Sequence, residues 1–175
     1  EDVDPEPQRE KIASILHAFG VRLAGCDYGG GFDRNDFLTR KFGINRVHKF
    51  QYVPRPKKKV SWEPRLRRWI VHRTEVMSDV FNAIKRGQLE FPRWEDFHQP
   101  YAHDMLNIYT EYNITLRMIQ YNHRPDKPDD TFHSVLLCFL ASMLIHRRPD
   151  IVNPMKESDQ YGAQTGYGWT PVDQG

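Results

Sequence analysis

The stretch that decides the fold is Val21–Gly31, with the sequence VRLAGCDYGGG. It begins as a short apolar run, delivers one carboxylate at Asp27, and ends in three glycines. This pattern predicts a strand that buries Val21 and Leu23 and then turns sharply at the glycines. Open α/β sheets bind their ligands at the carboxyl ends of strands, so Asp27 is the first candidate for chemistry.

The flanking segments extend this strand into a larger unit. Helical spacing of apolar residues predicts a helix over Gln8–Ala18 before it. After it, Asp33–Asn35 are expected to cap a helix that ends at Gly43, and alternation over Arg46–Val53 predicts a second strand. A strand, helix, strand order makes parallel neighbours through a right-handed crossover, which predicts an α/β fold.

The rest of the chain carries further periodic segments. They predict helices over Thr74–Arg86, Tyr101–Tyr112 and Thr131–His146, and a strand over Leu116–Tyr121. The last helix is apolar all round and should be buried, with Asp130 at its N-cap. Lys57–Pro64 is expected to be a polar loop. Residues 147–175 are expected to form a flexible tail, which leaves one domain over residues 1–146.

Composition favours a folded protein of a reducing compartment. The chain has 175 residues, 39% of them hydrophobic, and a net charge of +2. Its two cysteines, Cys26 and Cys138, lie in apolar segments and are expected to be buried as small hydrophobes. The acidic start lacks the features of a signal peptide, and the run Val135–Ile145 is too short to span a bilayer. We therefore expect a soluble, intracellular protein.

Three acids and one histidine form the first candidate site. Asp27 ends a strand, and Asp129 and Asp130 precede the buried helix, with His133 on the same side of its first turn. Converging carboxylates can hold Mg²⁺ or Mn²⁺, and paired metals stabilise both the attacking and the leaving oxygen of a phosphodiester. His133 could orient water, act as an acid or base, or bond to a ligating carboxylate. The alternative is that Asp130 only caps its helix and Asp27 only occupies a turn.

A basic segment forms the second signal. Between Arg46 and Arg73 there are ten lysines and arginines against one acid, Glu63, with tryptophans and a tyrosine interleaved. In a nearly neutral chain this concentration predicts one positive face that binds a polyanion, although a solvated charged loop is the alternative. The expected contacts to a DNA backbone are Lys57, Lys58, Lys59, Arg65, Arg67 and Arg68.

Three motifs in order resemble the C-terminal nuclease domain of phage terminase large subunits, the DNA-packaging motors. The motifs are AGCDYGGG at 24–31, RTE at 73–75 before a helix that leads into KRGQLEFP at 85–92, and PDDTFHS at 128–134. Their order and spacing agree over about residues 10–146. The resemblance implies an RNase H-like fold, with a central mixed β-sheet flanked by helices.

The resemblance also implies a function and a set of partners. The family cuts double-stranded DNA with acidic residues that bind two divalent metals, Mg²⁺ or Mn²⁺. Asp27 corresponds to the acid that ends the family's fourth strand, and Asp129 and Asp130 to the acids that open its last core helix. Of these two, Asp130 is preferred as the ligand, and His133 lies where relatives carry a further acid or histidine. The implied partners are DNA, an ATPase domain, the small terminase subunit and the portal, in the host cytoplasm.

One departure leaves a second function open. The family's first catalytic aspartate lies on an earlier three-stranded meander, and nothing before residue 20 is patterned as three strands. Asp2 and Asp4 lie in an acidic, proline-containing segment and are poor substitutes. The domain would then lack its first strands. The alternative function is a non-catalytic DNA-binding or assembly module on the same scaffold.

Overall fold

A computed structural model describes residues 5–54, 56–115 and 117–146. It is an α/β fold in which a mixed sheet is flanked by helices. The elements in chain order are α1 (Pro5–Ala18), β1 (Ala24–Asp27), α2 (Phe32–Phe42), β2 (Val47–Val53), β3 (Val60–Glu63), β4 (Arg68–His72), α3 (Arg73–Lys85), α4 (Trp94–Phe97), α5 (His103–Met105), β5 (Ile108–Asn113), β6 (Met118–His123) and α6 (Asp130–Ile145). The expected tail over residues 147–175 lies outside the described residues.

The main sheet has four strands in the order β1-β2-β4-β3. β1 pairs with β2 in parallel, with Ala24 opposite Val47 and Asp27 opposite Phe50. α2 connects these two strands, so the predicted crossover unit is confirmed. β2 also pairs in parallel with β4, whereas β3 runs antiparallel to β4 at the edge. β2 and β4 continue beyond the last residue of β1, so Asp27 lies at a recessed step of the carboxyl edge.

Two of the predicted elements are wrong. The expected loop Lys57–Pro64 contains β3, because Val60 and Trp62 pair with β4 and Val60 is fully buried there. The expected helix over Tyr101–Tyr112 ends early at α5, and its second half is β5. Pairing of Tyr109 with Asn122 across the β5–β6 hairpin overrides a helical spacing that the apolar residues also allowed.

The two faces of the main sheet are covered by different helices. On one face, α1 and α2 pack on β2 through a small core of Ala13, Leu38 and Val47. The opposite face holds the larger core, in which α3 and α6 cover the sheet. Its fully buried side chains are Phe50, Val60, Trp69, Val71, Val76, Met77, Val80, Phe132, Leu136 and Leu140. Alternate residues of β2 therefore serve two separate cores.

Helix α6 lies directly on the backbone of β1. A Cβ atom added to Gly25 would lie only 2.7 Å from the carbonyl oxygen of Leu137 in α6. His133 lies one turn nearer the start of α6, about 6 Å along the helix axis. Asp27 lies two residues beyond Gly25, about 6–7 Å along the strand. The close contact at Gly25 therefore brings the start of α6 to the level of Asp27.

The surface of α6 departs from one expectation. Phe132, Leu136, Leu140, Ala141 and Met143 are buried, but Cys138 is exposed. The prediction that Cys138 is buried is wrong, because the core takes only one side of this apolar helix. Cys26 is half-buried in β1, and neither cysteine forms a disulfide. Within the described ranges, no helix combines the length and apolar character needed to cross a bilayer.

A half-buried histidine packs against Trp69 of the larger core. The indole Nε1 of Trp69 donates a hydrogen bond of 3.1 Å to Nδ1 of His48, which requires that nitrogen to be unprotonated. Burial lowers the pKa of His48 to about 4, although its hydrogen bond with the backbone of Asn45 opposes the shift. The packing of Trp69 therefore depends on a neutral imidazole.

We predict that Gly25→Ala lowers the free energy of unfolding by about 1–3 kcal/mol, because the added methyl group meets a backbone atom rather than a flexible side chain. Urea denaturation measures the change. Gly29→Ala is the matched control, because the nearest atom to its new Cβ is 3.8 Å away. Equal stability of the two variants would contradict the close packing of α6 on β1.

We also predict an acid-dependent loss of stability that is specific to His48. Its pKa in the unfolded chain is about 6.5, above the folded value, so the unfolded state binds the additional proton between these two values. Stability is therefore lost as the pH falls through this window. From pH 7 to pH 5 the loss is about 2 kcal/mol.

Urea denaturation at the two pH values should show this loss in the wild type and in a His17→Gln control, since His17 is exposed. The His48→Gln variant should lose less, because glutamine does not titrate and its oxygen can still accept from Trp69. A pH dependence of His48→Gln equal to that of the wild type would contradict the assignment.

Candidate active site

The glycine-rich turn after β1 closes around the Asp27 carboxylate. The backbone N–H of Gly29 donates to Oδ1 of Asp27 at 3.3 Å. A Cβ atom on Gly30 would lie 3.1 Å from Oδ2, so a side chain there would crowd the carboxylate. Gly31 has a φ of 77°, which a glycine adopts without strain, and it occupies the N-cap position of α2. The glycines therefore allow the close backbone approach to Asp27 that the sequence suggested.

Asn35 holds this turn in place. Its Nδ2 donates to the backbone oxygen of Asp27 at 2.8 Å, and the side chain is buried. The expectation that Asp33–Asn35 cap α2 is wrong, because α2 begins at Phe32 and Gly31 occupies its N-cap without a side-chain hydrogen bond. Asn35 instead donates a hydrogen bond to the last carbonyl oxygen of β1 and so fixes the position of Asp27.

The start of α6 contributes a hydrogen-bonded chain of three side chains. Nε2 of His133 lies 3.0 Å from Oδ2 of Asp129, and Nδ1 of His133 lies 3.3 Å from the hydroxyl of Tyr52 on β2. A neutral imidazole that donates to Asp129 and accepts from Tyr52 satisfies all three groups. With both nitrogens engaged, His133 orients Asp129 rather than offering a free base.

Tyr52 also connects α6 to Asp27. Burial raises the pKa of its hydroxyl, and the charges of Asp27 and Asp129 raise it further, while Arg73 acts in the opposite direction. The Tyr52 hydroxyl is therefore within electrostatic range of two carboxylates from different elements. It stays protonated at neutral pH and can donate to His133. We call Asp27, Tyr52, Arg73, Asp129 and His133 the strand-edge cluster.

The two acids before α6 have different environments. Asp129 is at the N-cap position, with a half-buried carboxylate that His133 binds and that His123 approaches to 3.9 Å. Asp130 is exposed and forms no hydrogen bond or ion pair with the described residues. The expected capping by Asp130 is wrong. The carboxylate of Asp104 caps α6 from outside, with Oδ2 accepting from the Thr131 N–H at 2.7 Å.

The described residues do not by themselves complete a metal centre. Among them, no three His, Cys, Asp or Glu side chains are grouped closely enough to hold an ion. Mg²⁺ is nonetheless commonly bound by one or two carboxylates, with waters and substrate phosphates as the other ligands. Asp27 and Asp129 are two carboxylates that both influence the Tyr52 hydroxyl, and Asp130 follows Asp129 directly in the chain.

The predicted DNA contacts lie at two opposite edges of the sheet. Lys57 and Lys58 are exposed in the loop that follows β2, so they lie at the carboxyl edge with Asp27. Arg65 and Arg67 are exposed in the turn between β3 and β4, at the far edge. The length of β3 separates the two pairs by about 13 Å.

Two other basic residues have partners within the protein. Lys59 forms an ion pair of 2.9 Å with Asp79. Arg68 pairs with Glu63 at 2.7 Å, and its guanidinium lies 4.5 Å from the centre of the Tyr28 ring. These two side chains are therefore less available to a DNA backbone than Lys57 and Lys58.

Sequence reasoning missed three residues of this region. Tyr52 had a signal, because it shares the face of Phe50 on β2 and lies near the carboxyl end of that strand. Arg73 entered the prediction only as part of the basic segment and of the RTE motif, with no role in the site, although it follows β4 directly. Asp104 had no signal, because its partner at the start of α6 is 27 positions away in sequence.

Comparisons with known proteins identify no relative of this chain. No family model, curated protein or solved structure matches it.

Proposed function

We propose that this chain is a metal-dependent endonuclease domain of the phage terminase type, with an RNase H-like fold, that hydrolyses double-stranded DNA with little sequence specificity. The observation that supports this best is the placement of Asp27 and Asp129. The two carboxylates come from β1 and from the start of α6, and both act on the same Tyr52 hydroxyl at the carboxyl edge of a parallel sheet.

The arrangement of the sheet is compatible with an RNase H-like scaffold. Asp27 lies at the end of β1 in a parallel crossover unit, and Asp129 and Asp130 lie at the start of the buried helix α6. β1 is an edge strand among the described residues, with one side open to further pairing. Strands such as those of the family's meander could pair at this open side.

In this proposal, Asp27 binds Mg²⁺ or Mn²⁺ together with Asp129 or Asp130, and DNA phosphate oxygens and waters complete the coordination. When bound, such an ion would supply charge stabilisation at the phosphoryl group and would favour deprotonation of the attacking water. A pair of metals, as the resemblance implies, would need ligands in addition to these three carboxylates. His133 holds Asp129 in one orientation through its Nε2, which is a positioning role.

The proposed reaction is hydrolysis of one phosphodiester linkage. The oxygen of water forms a bond to phosphorus, and the bond from phosphorus to the leaving sugar oxygen breaks. The water gives up one proton to the solvent or to a carboxylate of the cluster, and the leaving oxygen gains one. The charge balance needs no oxidant or reductant.

The charged surface supports binding of the DNA backbone beside the cluster. Lys57 and Lys58 extend from the loop at the same edge as Asp27 and would contact phosphates near the scissile linkage. Arg65 and Arg67 would reach DNA only where it passes the far edge of the sheet. By the same resemblance, we propose an ATPase domain, the small terminase subunit and the portal as partners, in the host cytoplasm.

A second function is favoured by one observation. The described residues group no three metal-ligating side chains, which suits a DNA-binding or assembly module that keeps the scaffold without cleaving. Such a module would bind DNA in a salt-sensitive manner and leave it intact.

Nicking of supercoiled plasmid in Mn²⁺ discriminates the two functions. We predict that the wild type converts plasmid to open circles and that EDTA abolishes the reaction. Asp27→Asn and Asp129→Asn should each lower the rate at least about 100-fold, because an amide is a weak ligand for a hard cation. The nicking rate of Asp130→Asn, compared with that of Asp129→Asn, shows which of the two adjacent acids is the ligand.

Asp33→Asn is the control, since it removes an exposed carboxylate from the first turn of α2, and it should nick at the wild-type rate. Wild-type nicking by Asp27→Asn would contradict the metal site. Salt-sensitive binding without nicking in either metal would establish the non-catalytic function instead.

A further inference from the structure

We propose that Arg73 is the residue of the strand-edge cluster that binds a phosphate of the DNA backbone. The inference rests on the proposed function, in that it assigns the phosphate-holding group of the same site. It uses a residue that the metal chemistry does not use.

The position of Arg73 places it beside the acids. It is the first residue of α3 and directly follows His72, which pairs with Val53 at the end of β2. The charge of Arg73 lowers the pKa of Tyr52, whereas the charges of Asp27 and Asp129 raise the pKa of the same hydroxyl. The guanidinium therefore belongs to the same edge of the sheet as the candidate metal ligands.

Arg73 is half-buried, and one donor of its guanidinium is enclosed without a partner. Its Nε atom is buried and has no hydrogen-bond partner, and the group forms no ion pair with any described residue. Buried donors are normally paired, because burying a donor away from water without a hydrogen bond is costly. The neighbouring carboxylates of Asp27 and Asp129 remain outside ion-pair distance, so the donors of Arg73 are available to a ligand.

The local helix adds to the cost of holding a cation there. The N-terminus of a helix carries a partial positive charge, which disfavours a guanidinium in the first turn. A bound phosphate would oppose both positive charges and accept two parallel hydrogen bonds from the guanidinium. In this arrangement the carboxylates hold the cation and the arginine holds the phosphate. The two kinds of side chain therefore do not compete for one ligand.

Thermal unfolding of the full chain without divalent metal tests the assignment with inorganic phosphate as the probe. At constant ionic strength, replacing chloride by 100 mM phosphate should raise the melting temperature of the wild type by about 3 °C, because only the folded state has the site. Arg73→Gln should melt at or above the wild-type temperature in chloride, since it removes a positive charge from a helix N-terminus and a buried Nε donor that has no partner. Phosphate should leave its melting temperature unchanged.

Binding of a 20-base-pair duplex in EDTA tests the same residue on DNA. Arg73→Gln should weaken binding about tenfold and lower the slope of log affinity against log salt by about 1. Arg73→Lys should restore most of the slope but less of the affinity, because lysine keeps the charge and loses the planar fork. Arg86→Gln is the matched control, an exposed arginine at the other end of α3, and it should respond to phosphate as the wild type does.

Two results would overturn the inference. One is an Arg73→Gln protein that unfolds or melts well below the wild type, which would assign Arg73 a structural role. The other is an equal response to phosphate and to salt in the wild type and in Arg73→Gln. If Arg73→Gln loses phosphate and DNA binding while the wild type never nicks plasmid, the phosphate site stands and the nuclease function fails.

Discussion

The close approach of α6 to the backbone of β1 is the constraint on which the rest of the structure depends. Because residue 25 is a glycine, the helix can lie against the strand at the carbonyl of Leu137 rather than on a layer of side chains. The same helix buries Phe132, Leu136 and Leu140 in the main core. Its position is therefore fixed from two sides, by the strand backbone and by the core.

The same packing contact positions the side chains of the strand-edge cluster. The first turn of α6 reaches the carboxyl edge at the level of Asp27, and Asp104 caps it from a distant part of the chain. His133 then joins Asp129 to Tyr52 on the neighbouring strand. Acids from two elements are thus within electrostatic range of one hydroxyl, and Arg73, which follows β4, adds a positive charge to the same surroundings.

The sequence predicted the parts of the fold that local pattern determines. The crossover unit and α3 have clear periodicity and glycine stops, and α6 has a long apolar run, so their positions were predictable. β3 and the β5–β6 hairpin were not, because their pairing partners decide them and the local pattern allows a loop or a helix.

The candidate site was likewise predictable from the sequence only in part. Asp27 and His133 carried signals of position within their own elements. The roles of Tyr52, Arg73 and Asp104 arise from contacts between segments that are far apart in the chain, and no spacing in the sequence encodes them. The preference for Asp130 over Asp129 rested on the resemblance, whereas the hydrogen bonds of the cluster engage Asp129.

The proposed cation site joins β1 to α6 through the packing at Gly25. Anomalous diffraction from a Mn²⁺-soaked crystal would locate the ion. We predict a manganese peak within about 2.2 Å of a carboxylate oxygen of Asp27 and of an oxygen of Asp129 or Asp130. A well-ordered crystal at saturating Mn²⁺ with no peak on Asp27, or with its peaks only elsewhere, would contradict it.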